Sequence, residues 1–337
     1  RGLHLAQQDF MALEVLRRLG NHTITNDPRL AISLASLSLR NPLIVGAGWD
    51  KNGVAVPALC ALGFAGVEVG TVTRLPQEGN PKPRQFARDG VVLNHLGFPN
   101  AGLEVVLANL QSYHIVGCPI GVNIGNNGGI LLQDFTERLA RPFVQALYPV
   151  ADYFTLNVSC PNVIDHYTLK DMMTLINSVH HAMDSLGAMK PVFLKISPDL
   201  TLIELDAIIQ LVLDYQSSGL IIANTTTDPA IKAEYGWESH PGGLSGDVAT
   251  YREKVTQLIS HTYRVTKGAF PIIGCGGVKD AETALWYLRS GASAVQIVSG
   301  FRSEGPRIAV KIAQGILAFL EENRTDSIKD FIGSNVF

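Results

Sequence analysis

Eight short apolar segments, each ending in a polar or glycine-rich tip, constrain this chain more than any other feature. They begin at Leu43, Gly66, Ile120, Tyr153, Val192, Gly219, Pro271 and Ala294. Bounded apolar runs of this length read as buried strands. Between them lie helical patterns over 56–62, 101–112, 131–147, 169–186, 202–217, 248–266 and 281–290, and a last one over 308–322 closes the chain. Eight buried strands with helical crossovers predict an α/β fold, a (β/α)8 TIM barrel. The rival, an open doubly wound sheet, wants a G-x-G-x-x-G turn opening a helix after an early strand, and none is present. Ahead of the barrel, residues 32–39 alternate as an outer hairpin strand capping its floor. Residues 74–100 and 227–246 read as long irregular loops rich in Gly, Pro or Asn.

Residues 1–19 carry Leu3, Phe10, Leu13, Leu16 and Leu19 among polar residues, the pattern of a short amphipathic helix ending near Gly20. Such a prefix packs on the body or touches a membrane or a partner. The division expected is therefore a helical segment over 1–25 and a barrel over 26–337. At 337 residues, with 46% apolar and 17% charged residues, a single barrel accounts for the chain. A net charge of -3, with no basic run interleaved with aromatics, gives no general attraction to nucleic acid. The longest apolar runs, 220–223 and 292–298, fall far short of a membrane span. Four scattered cysteines show neither metal-ligand spacing nor a disulfide framework. Free thiols are the expectation, with Cys60, Cys118 and Cys275 as small buried hydrophobes and no metal site.

Cys160 differs in its surroundings. In ADYFTLNVSCPNV a strand delivers Asn157, Ser159, Cys160 and Asn162 within six positions, and Pro161 holds the loop past its end. The other strands end equally polar, at Lys51, Thr71, Asn123, Lys195, Asn224, Gly276 and Ser299. Catalytic groups of a barrel belong at those C-terminal tips. GCGGV at 274–278 and VSGF at 298–301 follow the last two strands, where barrels often hold a phosphate, and GGLSG at 242–246 adds a third flexible loop. Lys51 and Lys195 either snorkel to solvent or face an anion, such as an electron-rich cofactor ring or a carboxylated substrate. Asn94, Asn157, Asn162 and Asn224 offer amide edges suited to a ring with imide-type N–H and C=O groups, although each alone would serve as a turn cap. A thiol with an ordinary pKa of about 8.5 can act as a base. Acyl-transfer chemistry would want a base and an orienting partner, and the rim supplies amides and lysines instead.

These residues resemble the dihydroorotate dehydrogenase family, most closely its membrane-associated, quinone-using class. The likeness rests on AGWDKNG at 47–53, GFAGVEVGTVT at 63–73, PQEGNPKPR with LNHLGF across 76–98, GVNIG at 121–125, NVSCPN at 157–162, ANTT at 223–226, GGLSG and IIGCGGV at 272–278. It implies an FMN-dependent barrel oxidising dihydroorotate to orotate in pyrimidine synthesis, with a quinone as electron acceptor and peripheral membrane contact through the N-terminal segment. It makes Cys160 the base at C5, with hydride passing from C6 to FMN. Lys51, Asn94, Asn157, Asn162, Asn224 and Thr225 would hold substrate. Ala47, Gly48, Thr71, Asn123, Asn157, Lys195, Ser245, Gly246, Gly276, Gly277, Ser299 and Gly300 would hold FMN. The chain departs from that class in carrying Cys160 where serine is usual, Val163 to His166 in place of the family's threonine and glycine-leucine-arginine segment, and Asn126 and Gly128 in place of lysines. Cysteine at 160 is the habit of the soluble class, which passes electrons to fumarate or NAD. The remaining alternatives are an FMN barrel acting on another pyrimidine or ene substrate and a barrel without activity.

Overall fold

The computed structural model describes residues 26–113, 117–159 and 167–336. The expected N-terminal helix, Cys160, Asn162 and the departures at Val163 to His166 lie outside these residues. The described chain opens on a short antiparallel hairpin of β1 (Ile32–Leu34) and β2 (Leu37–Leu39), so 32–39 forms two strands turned at Ala35. The barrel begins with β3 (Leu43–Val45), α1 (Val56–Ala61) and β4 (Gly66–Val72). A hairpin of β5 (Gln85–Arg88) and β6 (Val91–Asn94) follows, then α2 (Leu103–Gln111) and β7 (Ile120–Ile124). The next crossover runs through α3 (Leu132–Asp134), a π-helical turn (Phe135–Leu139) and α4 (Ala140–Leu147) to β8 (Tyr153–Asn157). Helix α5 (Leu169–Asp184), β9 (Val192–Ile196), α6 (Leu202–Asp214) and β10 (Gly219–Ile222) continue the alternation. It ends with α7 (Pro229–Ala233), β11 (Gly243–Gly246), α8 (Ala249–Thr266), β12 (Ile272–Cys275), α9 (Ala281–Arg289), β13 (Ala294–Ile297), α10 (Ser299–Glu304) and α11 (Ile308–Glu322).

The eight strands β3, β4, β7, β8, β9, β10, β12 and β13 pair in parallel and close, with β13 meeting β3 at Val295 and Leu43. Every residue of β4, β7, β8 and β9 is buried, which is why they read as mainly apolar runs broken by a few polar residues. The outer helices turn one face inward. In α6, Leu205, Ile208, Ile209 and Val212 are buried at helical spacing. Capping boxes start α5, α6 and α9 at Thr168, Thr201 and Asp280, satisfying backbone N–H groups at the exposed helix ends.

Two expectations need correction. The loops over 74–100 and 227–246 contribute β5, β6 and β11, which form a three-stranded antiparallel sheet over one end of the barrel, with Asn94 opposite Gly243 and Val91 opposite Gly246. Strand β5 is largely exposed and β11 is Gly-Leu-Ser-Gly, so neither carries an apolar signal of its own. Their pairing comes from segments distant in sequence. Cys60 and Cys118 are joined in a disulfide with Cα atoms 5.8 Å apart, and so are not free thiols. The bond forms because α1 leads into β4 and Cys118 precedes β7, and these two strands are neighbours. Spacing of 58 residues conceals that adjacency. Cys275 is free and buried, as expected.

Candidate active site

The C-terminal strand tips surround a cavity of about 480 Å³, within the range of small-molecule and cofactor sites. The antiparallel sheet covers it, contributing Gln85, Val92, Asn94 and Ser245 to its wall, while Leu96 to Pro99 continue the cover. On the barrel side, the bulge in β4 between Gly70 and Val72 re-aims the strand, and Thr71 reaches the cavity.

The floor is a hydrogen-bonded layer. Thr71 Oγ1 donates to Asn123 Oδ1 at 2.7 Å, Asn157 Nδ2 donates to Thr71 Oγ1 at 3.0 Å, and Asn224 Nδ2 donates to Asn157 Oδ1 at 3.4 Å. Lys195 is only 5% exposed, and its ammonium donates to Gln296 Oε1 at 3.2 Å. The free Cys275 also faces that ammonium. Burial pushes the thiol pKa up, and Lys195 offsets part of the shift. A buried ammonium whose partners are an amide and a thiol still has attraction to offer an anionic or electron-rich ligand.

Lys51 stands at the other side, its ammonium on the carbonyl of Gly48. Burial lowers its pKa from the usual lysine value, nearby Arg84 lowers it further, and Asp50 works in the opposite direction. Asp50 itself serves the backbone, accepting from the N–H groups of Val54 at 3.0 Å and Ala55 at 2.7 Å before α1. Lys51 also lines an adjoining open groove with Lys82 and Arg84, which makes that approach electropositive.

Two buried tyrosines pin the rim. Tyr251 of α8 donates to the carbonyl of Asn224, and Tyr287 of α9 to that of Gly276, both at 2.7 Å. Burial raises both phenol pKa values, which keeps them as donors. Gly276 has φ of +120°, and a Cβ there would lie 2.3 Å from the Tyr251 hydroxyl, so only glycine lets this loop pass beside Tyr251. Ser299 heads α10 at the cavity edge, where the first helical N–H groups lack intrahelical acceptors. The Thr225 hydroxyl is buried on the cavity wall with no hydrogen-bond partner among the described residues. Trp49 is half-exposed at the cavity wall, tilted 37° against Phe301 with ring centroids 4.4 Å apart, and its indole N–H donates to the carbonyl of Val298.

The family profile described as Dihydroorotate dehydrogenase matches residues 29–320. The chain belongs to the dihydroorotate dehydrogenase family. A relative from Rhizobium rhizogenes, named "Dihydroorotate dehydrogenase (quinone)", is 40% identical over 324 residues, covering 93% of this chain and 87% of its own. One of the same name from Erythrobacter litoralis is 37% identical over 319 residues, covering 93% and 90%. Among solved structures, the Eimeria tenella DHODH in complex with ferulenol superposes with a TM-score of 0.86 at 29% identity, covering 98% of this chain and 95% of that one.

Of the residues that the family likeness nominated, Ala47, Gly48, Lys51, Thr71, Asn94, Asn157, Lys195, Asn224, Thr225, Ser245, Gly276 and Ser299 all line the cavity. Asn123 does not. It is fully buried one layer below and reaches the cavity through Thr71 and Asn157. Gly246, Gly277 and Gly300 stand behind the wall as close-packing positions. A Cβ on Gly277 would come within 2.8 Å of the carbonyl of Gly246, and one on Gly300 within 2.0 Å of that of Val278. Sequence reasoning missed Trp49, Gln85, Tyr251, Tyr287, Gln296 and Glu68. Gln85 sits in the segment read as a long loop, and Trp49 at the tip of the first barrel strand. The others lie inside helices and strands, where nothing in a single sequence separates a polar residue turned into the barrel from a solvated one.

Proposed function

We propose that the protein is an FMN-dependent enzyme that oxidises dihydroorotate to orotate in pyrimidine synthesis and passes the electrons to a quinone. The observation that carries this reading is one cavity in which a buried lysine, an amide floor and an unpartnered threonine hydroxyl converge beneath a polar lid, in a chain of this family. The donor set fits FMN. Lys195 suits an electron-rich ring, Asn157 and Thr71 suit its N–H and C=O edge, and the loops at Gly276 and Ser299 suit its phosphate. When bound, FMN supplies the acceptor for the hydride leaving C6 of the substrate. Lys51, Asn94, Asn224 and Thr225 bind and orient the substrate under the lid, with Lys51 facing its carboxylate. Asn162 completes the amide set, and Cys160 removes the C5 proton as general base. The lid formed by β5, β6 and β11 excludes water from these groups.

The quinone reading is supported by the names of the relatives and by the sequence likeness over 76–98. Membrane contact through the N-terminal segment belongs to the same reading, with a peripheral location at the bacterial cytoplasmic or mitochondrial inner membrane. Among the described residues no helix is long and apolar enough to cross a membrane. Cysteine at position 160 favours a second reading, in which the acceptor is fumarate or NAD. Steady-state oxidation of dihydroorotate with a quinone, fumarate or NAD as sole acceptor separates the two. The proposal expects a yellow protein that dihydroorotate bleaches and a quinone recolours. A colourless protein that takes up no FMN would overturn it.

A further inference from the structure

Glu68 stands in β4 with its carboxylate inside the barrel, 0% exposed and outside the cavity lining. An ionised carboxylate has only acceptor sites. Here Oε1 accepts from Asn123 Nδ2 at 2.9 Å, while Oε2 accepts from Gln296 Nε2 at 2.7 Å, Thr155 Oγ1 at 2.9 Å and the Tyr153 hydroxyl at 3.3 Å. An amide that gives its NH2 to Glu68 has its carbonyl left to face the other way. Asn123 Oδ1 is therefore turned up, taking the Thr71 hydroxyl at 2.7 Å and Asn157 Nδ2 at 3.3 Å. Thr71, having donated downward, accepts from Asn157, and Asn157 is left with its oxygen toward Asn224 and the cavity. In the second branch Gln296 turns Oε1 to the Lys195 ammonium. Every donor in both branches points down toward Glu68.

We propose that Glu68 is a positioning residue that sets the direction of this hydrogen-bond chain. The cavity floor thereby offers an amide oxygen at Asn157 and a located ammonium at Lys195 to a ring carrying N–H and C=O groups. The inference rests on the FMN reading above and adds to it a residue that acts through Asn123 and Gln296. Shape alone does not account for the arrangement. A glutamine at position 68 has the same outline but must present one NH2. Three donors converge on Oε2, so its carbonyl stays there and its NH2 meets that of Asn123. Asn123 then has to flip, Thr71 and Asn157 follow, and Asn157 shows an NH2 where it had shown an oxygen.

The test is a double-mutant cycle on FMN binding, measured by equilibrium dialysis of wild type, Glu68→Gln, Asn123→Asp and the pair together, with thermal unfolding recorded for each. Glu68→Gln is expected to weaken FMN at least tenfold. Asn123→Asp sets two carboxylates face to face and weakens it as well. In the double variant the new amide at position 68 turns its NH2 to an acceptor-only carboxylate at position 123. This restores the direction, and FMN binds at least tenfold more tightly than to either single variant. A packing role makes the second loss add to the first. Wild-type affinity in Glu68→Gln, or a double variant no tighter than the singles, would overturn the proposal. If Glu68→Gln does not fold, comparing Asn123→Asp with the double variant decides the question in the same way. A wild type that binds no FMN sinks the flavin reading and this one with it, whereas a flavin-binding wild type without coupling sinks only the role of Glu68.

Discussion

The two ends of the barrel use partly or wholly buried cations in opposite ways. At the N-terminal end of the strands, away from the cavity, Arg40 gives its guanidinium to the carbonyls of Cys60 at 2.6 Å, Phe64 at 2.6 Å and Gly117 at 3.2 Å, beside the Cys60–Cys118 disulfide. Asn41 adds a bond to the carbonyl of Gly63 and accepts from the N–H of Leu43. These groups tie backbone to backbone and leave little to offer a ligand. At the rim, Lys195 meets an amide oxygen and a thiol, and Lys51 a single carbonyl. A cation supplied mostly with backbone acceptors holds the fold. One supplied with few neutral partners keeps part of its attraction for something that arrives. The same strands carry both ends, so damage at one should leave the other readable.

The largest expected effect belongs to the rim. Replacing Cys160 with alanine should slow bleaching of the flavin by dihydroorotate by roughly 10²–10⁴-fold, the range for loss of a general base. Stopped-flow absorbance reads this directly, and thermal unfolding should not move with it. Cys160→Ser should keep part of the rate. Equal bleaching in wild type and Cys160→Ala would remove the thiol from the mechanism.

The N-terminal end supplies the contrast. The disulfide closes a loop spanning 58 positions, so Cys60→Ser with Cys118→Ser should cost about 2–4 kcal/mol of stability. Denaturant unfolding measures that loss. FMN affinity and bleaching rate should stay at wild-type values, since neither cysteine lines the cavity. A parallel fall in cofactor affinity would show that the two ends are not separable.

How far this division is legible in the sequence follows from its physics. The eight barrel strands announce themselves because burial on both faces favours mainly apolar runs, and β8 and β9 lie within a residue of their expected limits. Lysines and asparagines at strand tips stand out against such runs, and Lys195 in Val-Phe-Leu-Lys-Ile is the clearest case. The lid stays hidden, since Gln85 to Arg88 is mostly exposed and β11 is half glycine. Its pairing depends on where the barrel brings segments 85–94 and 243–246. Asn123 reads as a ligand contact because it lies near a strand end, whereas its depth places it one layer down. Glu68 gives no signal at all. An acid in Gly-Val-Glu-Val-Gly looks like any polar residue on a strand until the barrel closes around it.

A smaller effect sharpens the distinction between lysines. Lys195→Met keeps the length of the side chain and removes its charge, and should weaken FMN roughly 10–100-fold, the range for a charge-assisted hydrogen bond. Equilibrium dialysis checks it. Stability should hold or rise, because a buried ammonium with neutral partners costs desolvation that methionine does not. A loss of stability larger than the loss of FMN affinity would move Lys195 to the structural side of the comparison.

Lys51 should give the smallest and most specific effect, read as a pH dependence. Burial and Arg84 lower its pKa below the usual 10.5, so the ammonium is lost at a lower pH than that of an ordinary lysine. If its charge holds the substrate carboxylate, KM for dihydroorotate should climb along this alkaline limb, beginning before an ordinary lysine would titrate. Lys51→Gln should start with KM raised roughly fivefold at neutral pH, as for a partly solvated ion pair, and show no such limb. Every other titrating group is common to both proteins, so the ratio of their KM values isolates Lys51. A ratio that stays constant across the alkaline range would mean that Lys51 does not pair with the substrate. Its bond to the carbonyl of Gly48 would then place it with Arg40, among the cations that serve the backbone.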